Sequence, residues 1–126
     1  MSTAREAEKY VKNWYKKQGI EVLRPSKGEF GYDFKTQDGK EFIEVKGTKE
    51  RELSRIAFRY LTNLEYVKIK ECKRQKLKYS FHLIAGIGTG RIDHYIIPGH
   101  ILIKKALPEV WWCVLLTKDI GRYKIT

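Results

Sequence analysis

Long apolar runs are missing from this sequence. No stretch reaches the roughly 18 consecutive apolar residues of a membrane-spanning helix, so no membrane span is expected. The start of the chain, MSTAREAEKYV, is polar and lacks the apolar stretch of a signal peptide. A cytoplasmic location is the default expectation. Cysteine is scarce: Cys72 and Cys113 stand far apart, and two unpaired thiols in a reducing cell are expected rather than a disulfide. No CxxC or Cys/His cluster indicates zinc. Repeats, low-complexity segments and linkers are also lacking, so residues 1–126 are expected to form a single domain. Negative charge is in short supply. Lys and Arg number 26 against 15 Asp and Glu, a net charge of +11. Asn and Gln are few, as on thermophilic surfaces, but those surfaces balance their signs and this one does not. The excess points to a polyanionic partner, nucleic acid first.

What is present is a globular profile, with 42% hydrophobic and 33% charged residues, which excludes a disordered chain. Residues 4–18 read as an amphipathic helix, with Ala7, Tyr10, Val11, Trp14 and Tyr15 at helical spacing. Thr3 and Glu6 have capping-box spacing at its start, and Gly19 is a plausible stop. A short strand over 20–25 and a loop over 26–31 follow. Two strands then flank Asp38-Gly39, a strong hairpin turn signal. The stretch IAFRYL within 48–61 is a further extended candidate. Residues 62–77 read as a second helix, with Thr62 and Glu65 again at capping-box spacing. Strands are expected over 79–87 and 92–98 with a turn at 88–91, and VWWCVLL (110–116) is a last apolar run. Helices and strands mix, so the class is α/β.

The hairpin poses a problem of charge. With Asp38 and Gly39 at the turn, Phe34 faces Ile43, Asp33 faces Glu44 and Tyr32 faces Val45. Alternation then gives one apolar face of Tyr32, Phe34, Ile43 and Val45. The other face carries Asp33, Glu44 and Lys46. Opposed residues have Cβ atoms roughly 4.5–5.5 Å apart, and two carboxylates there repel unless a cation lies between them. A divalent metal with oxygen ligands suits the position, and the Lys46 ammonium reaches the same spot. Two carboxylates, a metal and a lysine make a phosphodiester-hydrolysing site. The plain alternative is a solvated hairpin face in which Lys46 pairs with Glu44, for which opposed like charges are a poor choice.

Asp33, ten residues, then Glu44-Val45-Lys46 resembles the signature of the PD-(D/E)-x-K nuclease superfamily, with Gly31-Tyr32 where the family often has Pro. The longer string GYDF…EFIEVKGT, followed by Leu61-Thr62-Asn63-Leu64-Glu65, resembles the nuclease-like domains attached to helicases and restriction systems. Glu8, eleven residues before Gly19, is similar to the first-helix glutamate of archaeal Holliday junction resolvases. The loop over 23–28, carrying Arg24 and Ser26, resembles the loop before their aspartate, with Lys27 intervening before Gly28. The resemblance covers roughly residues 4–87. It implies a restriction-endonuclease-like fold, a mixed central sheet flanked by helices. It implies Mg²⁺ or Mn²⁺ held by Asp33, Glu44 and the Val45 carbonyl, with Lys46 catalytic and Glu8 approaching the metal through water. It implies DNA as substrate with RNA left open, a homodimer if the chain is a resolvase, and a helicase as a candidate partner.

Lys68, Lys70, Lys73, Arg74, Lys76 and Lys78 crowd the second helix and its end, a candidate phosphate stripe that is also readable as a solvated face. Arg24, Ser26, Lys27, Lys49 and Arg51 flank the proposed site in sequence and are stronger DNA-binding candidates. Glu65 reads first as a helix cap. His82, His94 and His100 read as packed or surface residues rather than ligands. Of Trp111 and Trp112, adjacent in a strand, at least one is expected in the core and either could stack on a base. GIGTGR lacks the phosphate-loop pattern and reads as a hairpin turn. The function expected is a metal-dependent DNA endonuclease. The alternatives are a non-catalytic nucleic-acid-binding or recruitment module, and a structural protein whose basic face docks an acidic partner.

Overall fold

The computed structural model describes residues 2–51, 58–60, 62–107, 112–114 and 121–125, with side chains at all of these except 58–60, 105–107 and 112–114. The chain opens with helix α1, Thr3–Lys16. Strands β1 (Val22–Leu23), β2 (Phe34–Thr36), β3 (Glu41–Thr48) and β4 (Phe58–Tyr60) follow. Helix α2 (Asn63–Gln75), strands β5 (Lys78–Ala85) and β6 (Asp93–Pro98), helix α3 (Gly99–Lys105) and strands β7 (Ala106–Leu107) and β8 (Trp112–Val114) complete it. A five-stranded sheet runs in the order β1-β2-β3-β5-β6. Only β3 and β5 are parallel; the other pairs are antiparallel. Strands β4, β8 and β7 form a separate three-stranded antiparallel sheet. The mixed sheet between helices is compatible with the restriction-endonuclease-like fold.

Each face of the five-stranded sheet carries its own core. On one face, Ile43 and Val45 of β3 and Ile84 of β5 pack against Ala7, Val11 and Tyr15 of α1. These three helix residues recur every fourth position, which is the stripe an amphipathic helix turns inward. On the other face, Phe42 of β3 and Tyr79, Phe81 and Leu83 of β5 pack against Ile69 and Cys72 of α2 and Leu102 of α3. Cys72 is a buried free thiol. His82 and His94 are fully buried as packed residues, and His100 is exposed. Tyr15 Oη, His82 and His94 lie in one hydrogen-bonded string with steps of 2.8 Å inside the first core, which occupies both ring nitrogens of His82.

The hairpin register is the one the turn chemistry dictates: Phe34 pairs with Ile43 and Lys35 with Phe42. Four expectations need correction. Tyr32 does not share the Phe34 face; its ring packs on Phe42 at 4.9 Å in the opposite core. The ladder stops at Phe34, and Gly31, at φ +89°, turns the chain before it, so strand alternation does not extend back to residue 32. Ser2 rather than Thr3 caps α1, its Oγ accepting the Arg5 N–H at 3.2 Å, which places Glu6 one position too late for a capping box. The helix ends at Lys16, two residues earlier than the apolar pattern suggests. Helix α3 has no counterpart among the sequence expectations, because seven residues are too few to display a helical period. Of IAFRYL, residues 58–60 form β4 and the rest lies outside the described residues, as does Trp111; Trp112 and Cys113 lie in β8.

Gly47 sets how closely α1 approaches β3. A Cβ there would stand 2.6 Å from Ala7 Cβ and 2.9 Å from Ile87 Cδ1. Gly47→Ala is expected to destabilise the fold by about 1–3 kcal/mol through overpacking. Adding Ala7→Gly is expected to recover part of that loss, as read by urea unfolding; the two effects simply summing would refute the contact.

Candidate active site

The site forms where the β2–β3 ladder ends. Beyond Phe34 the strands no longer pair regularly, so the Val45 N–H has no strand partner opposite it. The Asp33 carboxylate takes that place, with Oδ2 accepting the Val45 N–H at 2.8 Å, while the Asp33 N–H donates to the Ile43 carbonyl at 2.8 Å. Alternation along β3 sends Val45 into the α1 core and turns Glu44 and Lys46 to the α2 face. Glu44 is only 4% exposed.

The first turn of α2 meets them. Glu65 closes a capping box, its Oε1 accepting the Thr62 N–H at 3.1 Å while Thr62 Oγ1 accepts the Glu65 N–H at 3.1 Å. Its other oxygen, Oε2, lies 3.3 Å from Lys46 Nζ. Lys46 Nζ is also 2.9 Å from Glu44 Oε2. One ammonium therefore bridges two buried carboxylates, with Asp33 beside them. Glu65 is both the cap expected from its spacing and a member of the site. Gly31 allows this docking: a Cβ there would collide with the Leu64 carbonyl oxygen and lie 2.8 Å from Lys68 Cβ.

The carboxylates outnumber the cation, and their acidities record it. Burial raises the Glu44 carboxyl most, with Glu65 and Asp33 adding to the rise against the opposing pull of Lys46. The ion pair with Lys46 and the retained proton are compatible because Lys46 is shared with Glu65. Burial and mutual repulsion thus favour a proton kept among the acids. Burial also raises Asp33, with the Val45 N–H opposing and Glu8 adding to the rise. Burial opposes the charged form of Lys46, but Glu44 and Glu65 outweigh it and hold the ammonium above its ordinary 10.5. Tyr79 Oη donates to the Gly31 carbonyl at 2.7 Å and is held well above its ordinary value by burial, with Glu44, Glu65 and Asp33 adding to it.

The remaining candidates fall into three groups. Glu8 is joined to Arg24, Oε1 to Nη2 at 2.8 Å, and the charges of both act on Asp33, so this pair flanks the carboxylate cluster. Arg24 also lies over the Phe34 ring at 4.5 Å. Ser26 and Lys27 are exposed in the loop before Asp33, and Lys49 is exposed just past β3. Arg51 turns instead to Asp93, 3.8 Å away, which Arg91 and Lys124 also approach. Lys70, Lys73 and Arg74 are exposed on α2. Lys68 departs from the expected stripe: it is half-buried over the Phe42 ring at 4.2 Å and next to Glu71. Sequence reasoning missed the site roles of Glu65 and Tyr79. The LTNLE spacing marks the first; nothing in the sequence marks the second.

A carboxyl raised by folding keeps a proton that the unfolded chain releases above about 4.5, so its contribution to stability falls as pH rises. Glu44→Gln mimics the protonated acid. Relative to the wild type it is expected to gain stability as pH rises above 5.5, by up to about 1.4 kcal/mol for each pH unit over which the wild type keeps its proton. Parallel stability–pH curves for the two proteins would contradict the buried-proton assignment.

The model of the family described as "Protein NO VEIN, C-terminal" matches residues 4–97, which contain every residue of the site. No curated protein and no solved structure matches the chain. The matched span takes in α1 with Glu8, the Asp33 hairpin, Glu65 of α2 and strands β5 and β6 almost to its end, so this chain belongs to the family of the C-terminal domain of protein NO VEIN.

Proposed function

We propose that the chain is a divalent-metal-dependent endonuclease that hydrolyses phosphodiester bonds in DNA. The observation that carries this reading is the convergence of Glu44 and Glu65 on the single ammonium of Lys46, with the Asp33 carboxylate fixed beside them by the Val45 N–H. The donor set fits a hard cation: it offers only oxygen, and the raised Glu44 carboxyl favours a proton that a cation would displace. Asp33, Glu44 and the Val45 carbonyl would hold Mg²⁺ or Mn²⁺. When bound, such an ion supplies a lowered pKa for water and a polarised phosphoryl oxygen.

The rest falls to the chain's own side chains. The Val45 N–H fixes the Asp33 carboxylate in one orientation. Glu65 keeps the Lys46 ammonium charged and at the edge of the cluster, where it can neutralise charge building on a phosphate. Glu8, tied to Arg24, sits at the Asp33 end and would act through water. Arg24, Lys27 and Lys49 are exposed around the same region and suit the flanking phosphates. A net charge of +11 supports a polyanionic substrate. The geometry of Lys46 also favours a second reading, recruitment of nucleic acid without cleavage, because its pairing with Glu44 and Glu65 already compensates two of the acids.

Cleavage of single-stranded, duplex, flapped and four-way-junction DNA with Mg²⁺ and Mn²⁺ separates the two readings. The wild type is expected to cut in a metal-dependent way. Asp33→Ala, Glu44→Ala and Lys46→Ala are each expected to lose about 10²–10³-fold or more in rate while remaining folded. Binding without cutting of any substrate would favour recruitment, and undiminished cutting by Lys46→Ala would remove the assigned mechanism.

A further inference from the structure

A groove of about 720 Å³ lies between α2 and α3 on the same face of the sheet as the carboxylate cluster. Half-buried Tyr66 lines its apolar part above the buried Ile69 and Tyr79, while Lys73 and Lys76 at the end of α2 and Lys104 from α3 stand around it. No acid lines it, and among the described residues none pairs with Lys73, Lys76 or Lys104. Lys76 ends α2 at φ 59°, a left-handed conformation that glycine adopts more readily, and lines the groove. The volume lies within the usual range for a bound organic ligand. Aromatic and apolar surface walled by cations on both sides is the chemistry of a base stacked on a ring with its phosphates on lysines.

The groove shares helix α2 and Tyr79 with the site. Tyr66 follows Glu65 directly, and the α2 residues from Glu65 to Lys76 extend about 16 Å at 1.5 Å per residue. That is about five base steps at a spacing of 3.4 Å. Tyr79 joins the two places from below, lining the groove while its hydroxyl holds the Gly31 carbonyl just before Asp33.

We propose that this groove binds an unpaired segment of nucleic acid, one base against the half-buried Tyr66 and the adjoining phosphates on Lys73, Lys76 and Lys104. The proposal deepens the nuclease reading by naming a single-stranded stretch beside the cut site as the feature recognised. It does not depend on cleavage, and its test is run without metal.

Fluorescence anisotropy with labelled dT12 and U12 in chelator measures the binding, the two strands distinguishing a DNA from an RNA source. Lys73→Glu with Lys104→Glu is expected to weaken binding more than tenfold. Lys9→Glu with Lys12→Glu makes the same charge change on the exposed side of α1, across the sheet, and is expected to cost threefold or less. Equal losses in the two double variants, or no binding by the wild type, would overturn the proposal. Ultraviolet crosslinking of dT12 carrying 5-iodouracil to the unaltered protein gives a readout that no variant's folding can disturb. Adducts at Tyr66 are expected, and adducts confined to residues outside the groove would overturn it. Absence of cleavage in the metal assay would sink the nuclease reading and leave these binding outcomes untouched.

Discussion

Two buried carboxylates share one ammonium with a third beside them, and much of the molecule is arranged around that imbalance. Two like charges 4 Å apart repel by about 4 kcal/mol even at an effective dielectric near 20. Glu44 and Glu65 are 4% and 6% exposed, so water does little to screen them. Lys46 offsets part of the repulsion and a retained proton on the acids offsets more. Buried ion pairs often contribute no more to stability than packed apolar residues of similar volume. An arrangement that fold stability does not explain points to chemistry, and the acids gain most from a cation with a charge greater than one.

Close approach of the backbone assembles the cluster. Gly47 lets α1 settle on β3, which carries Glu8 toward Asp33, and Gly31 lets the loop before Asp33 rest on the Leu64 carbonyl of α2. The two helices reach the same end of the strand from opposite faces of the sheet. The glycines in GYD and EVKGT thus serve geometry, while the acids and the lysine beside them serve charge. The early end of the β2–β3 ladder completes the design, because a continued strand would have claimed the Val45 N–H that fixes Asp33.

Much of this was legible in the sequence, for physical reasons that can be named. Asp38-Gly39 pins a two-residue turn, and the turn pins the register, so the pairing of Phe34 with Ile43 followed from chemistry two residues long. The capping box at Thr62 and the buried run of β5 were legible because both signals are local. The face of Tyr32 was not, because it depends on where a ladder stops, and that is settled by Gly31 meeting α2 far along the chain. Glu65 read as a cap, since its cap spacing is local while its contact with Lys46 is tertiary. Lys68 read as a surface cation for the same reason; only the fold reveals the Phe42 ring beneath it. Charge counted along a helix overstates the charge that faces solvent.

Calorimetric titration of the protein with Mn²⁺ at pH 7, repeated in two buffers of different ionisation enthalpy, tests the central claim most directly. If Glu44 surrenders its proton to make room for a cation, the apparent heat will differ between buffers by the equivalent of about one proton per bound ion. The difference will vanish in Glu44→Gln. Binding with the same heat in both buffers, or no binding by the wild type, would contradict the account of these acids as a cluster kept for a metal.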